Sequence, residues 1–239
     1  MMMSALWALC VAWTLLVSVD GQLTAGKINI INNELAYRYG HIQGQVAMAF
    51  NLPSSFCDNS SSGDLDNILK GNEESRVQNV LNKGDVYTDS IRLAAATPLK
   101  HNTCSDHAEY RLLYPAGNNY VTKLQRDSNT ECMVFFSLLS PCTLKCLNNN
   151  RPGVSILESL QDFSFWKAGY KAFVFEKIYI HPYSPCNKEQ QKLQLITQIH
   201  QNAHLIPFYR CDGNNCCNCA SKPADQNNPC LADRLPAQC

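Results

Sequence analysis

Residues Cys132 to Cys146 read CMVFFSLLSPCTLKC, and this stretch decides the fold. Cys132 to Leu139 is short, apolar except for Ser137, and rich in phenylalanine, which predicts a buried strand. Ser140 then fits a helix N-cap, and Pro141 fits the first helical position, where its missing N–H costs nothing. The helix expected from there carries Cys142 and Cys146 one turn apart on a single face. A buried strand that runs into a capped helix is the repeating unit of layered α/β folds.

The flanking sequence extends that pattern. Gln45 to Leu52 (QVAMAFNL) is a compact apolar run and predicts a strand. Pro53 and the Ser/Asn/Gly-rich segment from Ser54 to Gly63 end it in a loop. Leu65 to Leu81 has partial helical spacing, broken at Gly71. Val86 to Ala96 reads as a further strand stopped by Pro98, although Leu93 to Ala96 suits a helix equally well. Ser105 fits a second N-cap, which puts His107 and Glu109 in the first turns of a helix through Leu113. Lys171 to Ile180 (KAFVFEKIYI) alternates as a strand should. Asn187 to Asn202 is amphipathic, with Leu193, Ile196 and Ile199 or His200 on one face. Leu205 to Tyr209 closes as a strand. Strand, helix, strand at the end of this order predicts a parallel crossover, and the whole predicts an α/β layered fold with a largely covered sheet.

Residues 1–21 read as a signal peptide. No charged residue precedes Asp20, the run Ala5 to Val19 is too short to span a bilayer comfortably, and Val19 and Gly21 are small residues at a possible cut. No stable membrane association is expected once it is removed. Of 13 cysteines, Cys10 lies in this leader, so twelve remain. That density fits an oxidising compartment. If Cys142 and Cys146 hold a metal, ten are left for five disulfides, with a connectivity that spacing does not give. The segment 211–239 carries six of them in a polar, Gly/Asn/Pro-containing context with little to bury, and reads as a disulfide-stapled tail behind a domain of residues 22–210. Asn59-Ser60-Ser61 is an N-glycosylation sequon. Formal net charge is zero and no Lys/Arg cluster stands out, which counts mildly against tight capture of long nucleic acid.

Two motifs carry chemistry. His107-Ala108-Glu109 and Pro141-Cys142-Thr143-Leu144-Lys145-Cys146 together supply one imidazole, two thiols and one carboxylate. Zinc takes imidazole nitrogen and thiolate sulfur tetrahedrally, and three protein ligands leave a position for water. His107, Cys142 and Cys146 are therefore the candidate ligands, and Glu109 the candidate general acid/base. A His, two Cys and an off-metal Glu are the set used by the zinc deaminases of bases, whose usual spacing is P-C-x-x-C. Here one extra residue separates the cysteines, a spacing that still keeps both on one helix face. The alternative reading places Cys142 and Cys146 in disulfides with other partners, since a bridge across one helical turn is strained.

The chain resembles the secreted AID/APOBEC-like cytidine deaminases of animals. The match rests on QVAMAFNLP, HAEYRLL, FFSLLSPC and KAFVFEKIYI, and covers about Gln45 to Cys219. The resemblance implies a three-layer cytidine-deaminase-like fold, a mixed central sheet with helices on both faces. It implies zinc as cofactor and hydrolytic deamination of cytosine to uracil in single-stranded DNA or RNA, with an immune role. It also implies that the Ala108 N–H and the Ser140 carbonyl hold the pyrimidine edge and that Asn102 touches the sugar. Tyr183 and His181 fall where the family's specificity loop lies, placed to stack on a base. Leu139 replaces the Trp of the family's approach strand. Two alternatives stay open: a deaminase of free cytidine or another small aminated base, and an inactive extracellular binding protein with a structural zinc. Oligomeric state is not legible.

Overall fold

The computed structural model describes residues 23–42, 44–59, 65–101, 105–125 and 131–237. The predicted signal peptide lies outside them. Among the described residues there are eight strands: β1 (Ala47–Pro53), β2 (Leu93–Ala96), β3 (Leu99–Lys100), β4 (Ser105–Asp106), β5 (Glu131–Leu139), β6 (Lys171–Lys177), β7 (Phe208–Cys211) and β8 (Cys216–Asn218). The α-helices are α1 (Ala25–Tyr39), α2 (Ser54–Asn59), α3 (Leu65–Ile68), α4 (Glu74–Leu81), α5 (Ala108–Leu113) and α6 (Lys188–Asn202).

Six strands form one sheet in the order β2-β1-β5-β6-β7-β8. β1 is antiparallel to both β2 and β5, β5 and β6 are parallel, β6 and β7 are parallel, and β8 turns back antiparallel to β7. The sheet is therefore mixed, and α6 makes the parallel crossover from β6 to β7 that the sequence predicts. Two-residue alternation divides its side chains. Ala47 and Ala49 of β1, Met133 and Phe135 of β5, and Phe173 and Phe175 of β6 enter one core with α5 and α6. Met48, Phe50, Val134 and Val174 enter the other with α1 to α4. Three layers result, as the resemblance implies.

Several elements depart from the sequence reading. Helix α1 is not among the predicted elements, yet it buries Ile28, Ile31, Leu35 and Tyr39, a helical spacing, behind an N-cap at Thr24 whose side chain accepts from the Lys27 N–H (3.3 Å). Of the Ser54–Gly63 loop, Ser54–Asn59 is helical. Only Leu93–Ala96 of the Val86–Ala96 run is strand. Tyr87 instead folds back to pair with Ala95 through two backbone hydrogen bonds (2.8 and 3.0 Å), because polar Thr88, Asp89 and Ser90 make a turn. On α6, Leu195, Ile196 and Ile199 face the core, and Leu193 faces solvent. Gly71 has φ +84°, so the predicted break between α3 and α4 sits at a position that needs glycine.

The C-terminal segment is more than a tail. Cys211 belongs to β7, β8 forms the sheet edge, and Leu231 and Leu235 are buried in the α5/α6 core. The buried Arg210 guanidinium donates to the carbonyls of Glu176, Cys230 (2.9 Å) and Ala232, tying this segment to the sheet. Cys211–Cys216 and Cys219–Cys230 are disulfides, and Cys217 is disulfide-bonded as well. A further bridge, Cys57–Cys132, joins α2 to β5. Cys186 is free, so the described cysteines do not all pair as five bridges would require.

On the α1 side, the Tyr39 hydroxyl donates to the Asn72 carbonyl (2.7 Å) and accepts from Arg38 (3.2 Å). Burial pushes the phenol up to about 12. The unfolded phenol ionises near pH 10, so stability is intact below that value and is lost as pH rises from about 10 through 12. Denaturant midpoints measured from pH 8 to 11.5 should fall across that window. Tyr39→Phe should show a lower midpoint at pH 8 and a shallower alkaline decline; an equal decline in both proteins would refute the assignment.

Candidate active site

The site forms where β5 ends. The Ser140 N–H donates to the Lys177 carbonyl (2.7 Å), and its hydroxyl accepts from the Tyr179 N–H (3.0 Å). These two bonds fasten the end of β5 to the segment leaving β6, with Ser140 itself buried. The chain beyond is not the predicted helix. Residues 143–147 are turns, and the Leu147 N–H reaches the Cys142 carbonyl (3.0 Å), five residues back. An i→i+5 bond closes a wider ring than the α-helical i→i+4 bond. The extra residue between the cysteines is taken up in that wide turn, which brings the two sulfurs together.

Across from it, Ser105 is not an N-cap. Ser105–Asp106 pair as β4 with β3, and His107 takes the N-cap position of α5 with an extended backbone (φ −71°, ψ 152°). Its ring makes no capping bond and instead faces the cysteines. His107 Nδ1 lies 3.6 Å from Cys142 Sγ and 3.3 Å from Cys146 Sγ, and the sulfurs are 3.7 Å apart. A tetrahedral zinc with ordinary bond lengths needs sulfurs about 3.8 Å apart and each about 3.5 Å from the nitrogen. The three donors thus already stand at the edges of such a tetrahedron, and they form the candidate metal cluster found among the described residues. Cys142 and Cys146 are free and buried, so the disulfide alternative for them is excluded.

Electrostatics follow from the crowding. The hydrogen bond with Cys146 and the His107 ring pull the Cys142 thiol down to about 4. That same bond, together with burial, holds the Cys146 thiol well above its ordinary value. Its hydrogen bond with Cys142 raises His107. Neighbouring donors therefore favour the thiolate at Cys142.

Glu109, in the first turn of α5, is 2% exposed. Its Oε1 accepts from the Ser137 hydroxyl (2.8 Å) and from Gln45 Nε2 (3.5 Å). Its Oε2 is buried with no partner among the described residues. Burial pushes its carboxyl up. A cavity of about 180 Å³ opens beside it, lined by Gln45, Pro98, Ser105, His107, Glu109, Leu139, Ser140, Cys142 and Tyr179.

The structure thus gathers His107, Glu109, Ser140 and Cys142 at one cavity, with Cys146 buried beside His107 and Cys142 and Ala108 buried at the first residue of α5. Tyr183 is highly exposed and lies outside the cavity. It ends a run of edge-on rings that starts at the site, His107–Tyr179 (6.3 Å), Tyr179–His181 (6.1 Å) and His181–Tyr183 (6.2 Å). Asn102 lies outside the described residues. Asn59 ends α2, and the rest of its sequon also lies outside them. Sequence reasoning misses Tyr179, Gln45 and Ser137. Tyr179 was findable from alternation with His181 at the end of β6, and the other two from alternation with Ala47 and Phe135.

A family model described as Secreted Novel AID/APOBEC-like Deaminase 1 matches residues 28–234. The chain belongs to this deaminase family. No curated protein and no solved structure matches it. The match runs through β8 and the disulfide-bonded segment, so the C-terminal region is part of what the family model describes. The family is secreted by its description, and the disulfides accord with an oxidising compartment, so the protein is extracellular. Among the described residues no helix is long and apolar enough to cross a membrane.

Metal analysis of the purified protein should give one ion per chain. His107→Ala and Cys146→Ser should each lose it, and Cys186→Ser should keep it. Binding must displace the Cys146 proton, so affinity measured by chelator competition should weaken at least about tenfold for each pH unit lowered from 8 to 6. Affinity independent of pH would contradict the protonation pattern.

Proposed function

We propose that the protein is a zinc-dependent deaminase that hydrolyses cytosine to uracil in single-stranded DNA or RNA outside the cell, in a defensive role against foreign nucleic acid. The carrying observation is Glu109 Oε2, a buried carboxylate oxygen without a partner among the described residues, beside a His/Cys/Cys cluster and an open cavity. Leaving such an atom unsatisfied costs stability. A purely structural metal site has no need of it.

The ligand set His107, Cys142 and Cys146 fits zinc in donor chemistry and spacing. Zinc held there supplies Lewis acidity that readies water for attack at neutral pH. The residues do the rest. Glu109 Oε2 takes one proton from the attacking water and passes it to the ring nitrogen, then takes the remaining proton from the added hydroxyl and delivers it to the amino group, which leaves as ammonia as the carbonyl forms. Cytosine and water thereby become uracil and ammonia. The Ala108 N–H and the Ser140 carbonyl hold the polar edge of the ring. Tyr179 provides an aromatic wall where Leu139 gives none, and the half-buried Leu139 and Tyr179 side chains lining the cavity limit the access of bulk water.

The rings of Tyr179, His181 and Tyr183 favour a polymer over a free nucleoside. They lead from the cavity to the surface and offer stacking faces for neighbouring bases. Asn102 is assigned to the sugar, and Asn59 to surface glycosylation.

Product mass spectrometry on zinc-loaded protein tests the reading. Single-stranded DNA or RNA should yield uracil, cytidine and deoxycytidine much less, and Glu109→Gln should lose at least about a thousandfold in rate with zinc retained. Equal product from wild type and Glu109→Gln, or none from any substrate, would overturn it. Tyr183→Ala should raise KM for the polymer severalfold and leave turnover of free cytidine unchanged.

A further inference from the structure

We infer that Gln45 and Ser137 are a positioning pair for Glu109, fixing one carboxylate oxygen so that the other carries the proton. The inference rests on the deaminase reading and deepens it.

Ser137 is a polar side chain in an apolar row of β5. On β5 it follows Met133 and Phe135 on the face that packs against α5, and it is fully buried. Across the sheet its register partner is Ala47 of β1. A hydroxyl in an apolar row is costly unless both its donor and its acceptor capacity are used. Both are used here. The Ser137 hydroxyl donates to Glu109 Oε1 (2.8 Å), and Ser137 Oγ accepts from Gln45 Nε2 (3.2 Å). Gln45 precedes β1 by two residues, so strand alternation puts it on the same face as Ala47 and Ala49.

The order of these bonds gives each residue a task. Gln45 Nε2 occupies the Ser137 oxygen, which leaves the serine proton to point at Glu109. The same amide reaches Glu109 Oε1 at 3.5 Å. Turning the amide over would set Gln45 Oε1 against the Glu109 carboxylate oxygen and draw the Ser137 proton away from it, so this orientation is the one that gives Glu109 Oε1 two donors. Glu109 Oε1 is therefore held by two donors, while Oε2 has none among the described residues. A carboxylate anchored at one oxygen cannot swing, and its free oxygen stays at one place in the cavity wall. Proton transfer depends on such placement to within a fraction of an ångström. Neither Gln45 nor Ser137 needs to touch the substrate's reacting atoms, so their contribution belongs to turnover and not to binding.

The test uses the full zinc-loaded chain and two readouts. In steady-state kinetics on single-stranded substrate, Ser137→Ala should lower kcat about tenfold or more with KM within about twofold. Ser137→Thr, which keeps the hydroxyl, should recover most of that loss. Gln45→Leu should lower kcat by a smaller factor. Zinc content should stay at the wild-type value throughout. The second readout needs no activity. In a double-mutant cycle on unfolding midpoints, Ser137→Ala should cost clearly less in a Glu109→Ala background than in wild type. Additive effects, an unchanged kcat in Ser137→Ala, or zinc loss in that variant would each overturn the inference. A wild type that turns over nothing while the cycle shows coupling would count against the deaminase reading alone; an active wild type with an unaffected Ser137→Ala would count against the pair alone.

Discussion

Two hydrogen bonds from Ser140 govern the arrangement of the site. One side chain and one N–H join the end of β5 to the carbonyl of Lys177 and the amide of Tyr179. Parallel strands lack a tight turn to hold their ends in register, so without this fastening the two chains would separate just where the cavity begins. With it, Cys142 leaves on one side and Tyr179 on the other, at fixed spacing. The ligand cluster, the aromatic wall and the exit lined by rings are consequences of that junction.

The second constraint is the crowding of three ligand side chains before any ion arrives. His107 Nδ1 and the two sulfurs stand at tetrahedral-edge distances. The two sulfurs share a hydrogen bond that pulls the Cys142 thiol down and holds the Cys146 thiol up, with an imidazole beside them. The protein side of the centre is pre-arranged, so little reorganisation is left for the metal to impose. The atypical spacing of the cysteines is no defect in this setting: the wide turn closed by Leu147 N–H and Cys142 C=O converts one added residue into a change of backbone ring size.

Most of the architecture is legible in the chain because it is written in short-range pattern. β5 and β6 are apolar on both faces and bounded by polar or breaking residues, and α6 announces itself with an Asn187 cap and a period near 3.6. The His107, Glu109, Cys142 and Cys146 quartet is legible because few residue combinations hold a metal beside a free carboxylate. Other features depend on what the chain meets in space. The segment after Pro141 has helix-start residues, yet the backbone obeys the placement of the sulfurs. Ser105 looks like a cap and becomes a strand residue because β3 is there to pair with it. Gln45 and Ser137 lie far apart in sequence and acquire a role only when the register of β1 on β5 brings them to Glu109. The disulfide-bonded segment looks too polar to have a core, since the leucines that it buries are two and widely spaced.

The ends of the sheet carry a consequence of their own. A strand at a sheet edge offers unpaired amides and carbonyls as a template for a stranger's strand. Here the edge strands are the four-residue β2 and the three-residue β8. Tyr87 bridges back onto β2, and β8 stands between two disulfides and beneath the chain held by Arg210. Neither edge leaves a long flat row to copy. Such blunted margins offer little template for strand pairing between copies, and they are built from the residues that look least like structure.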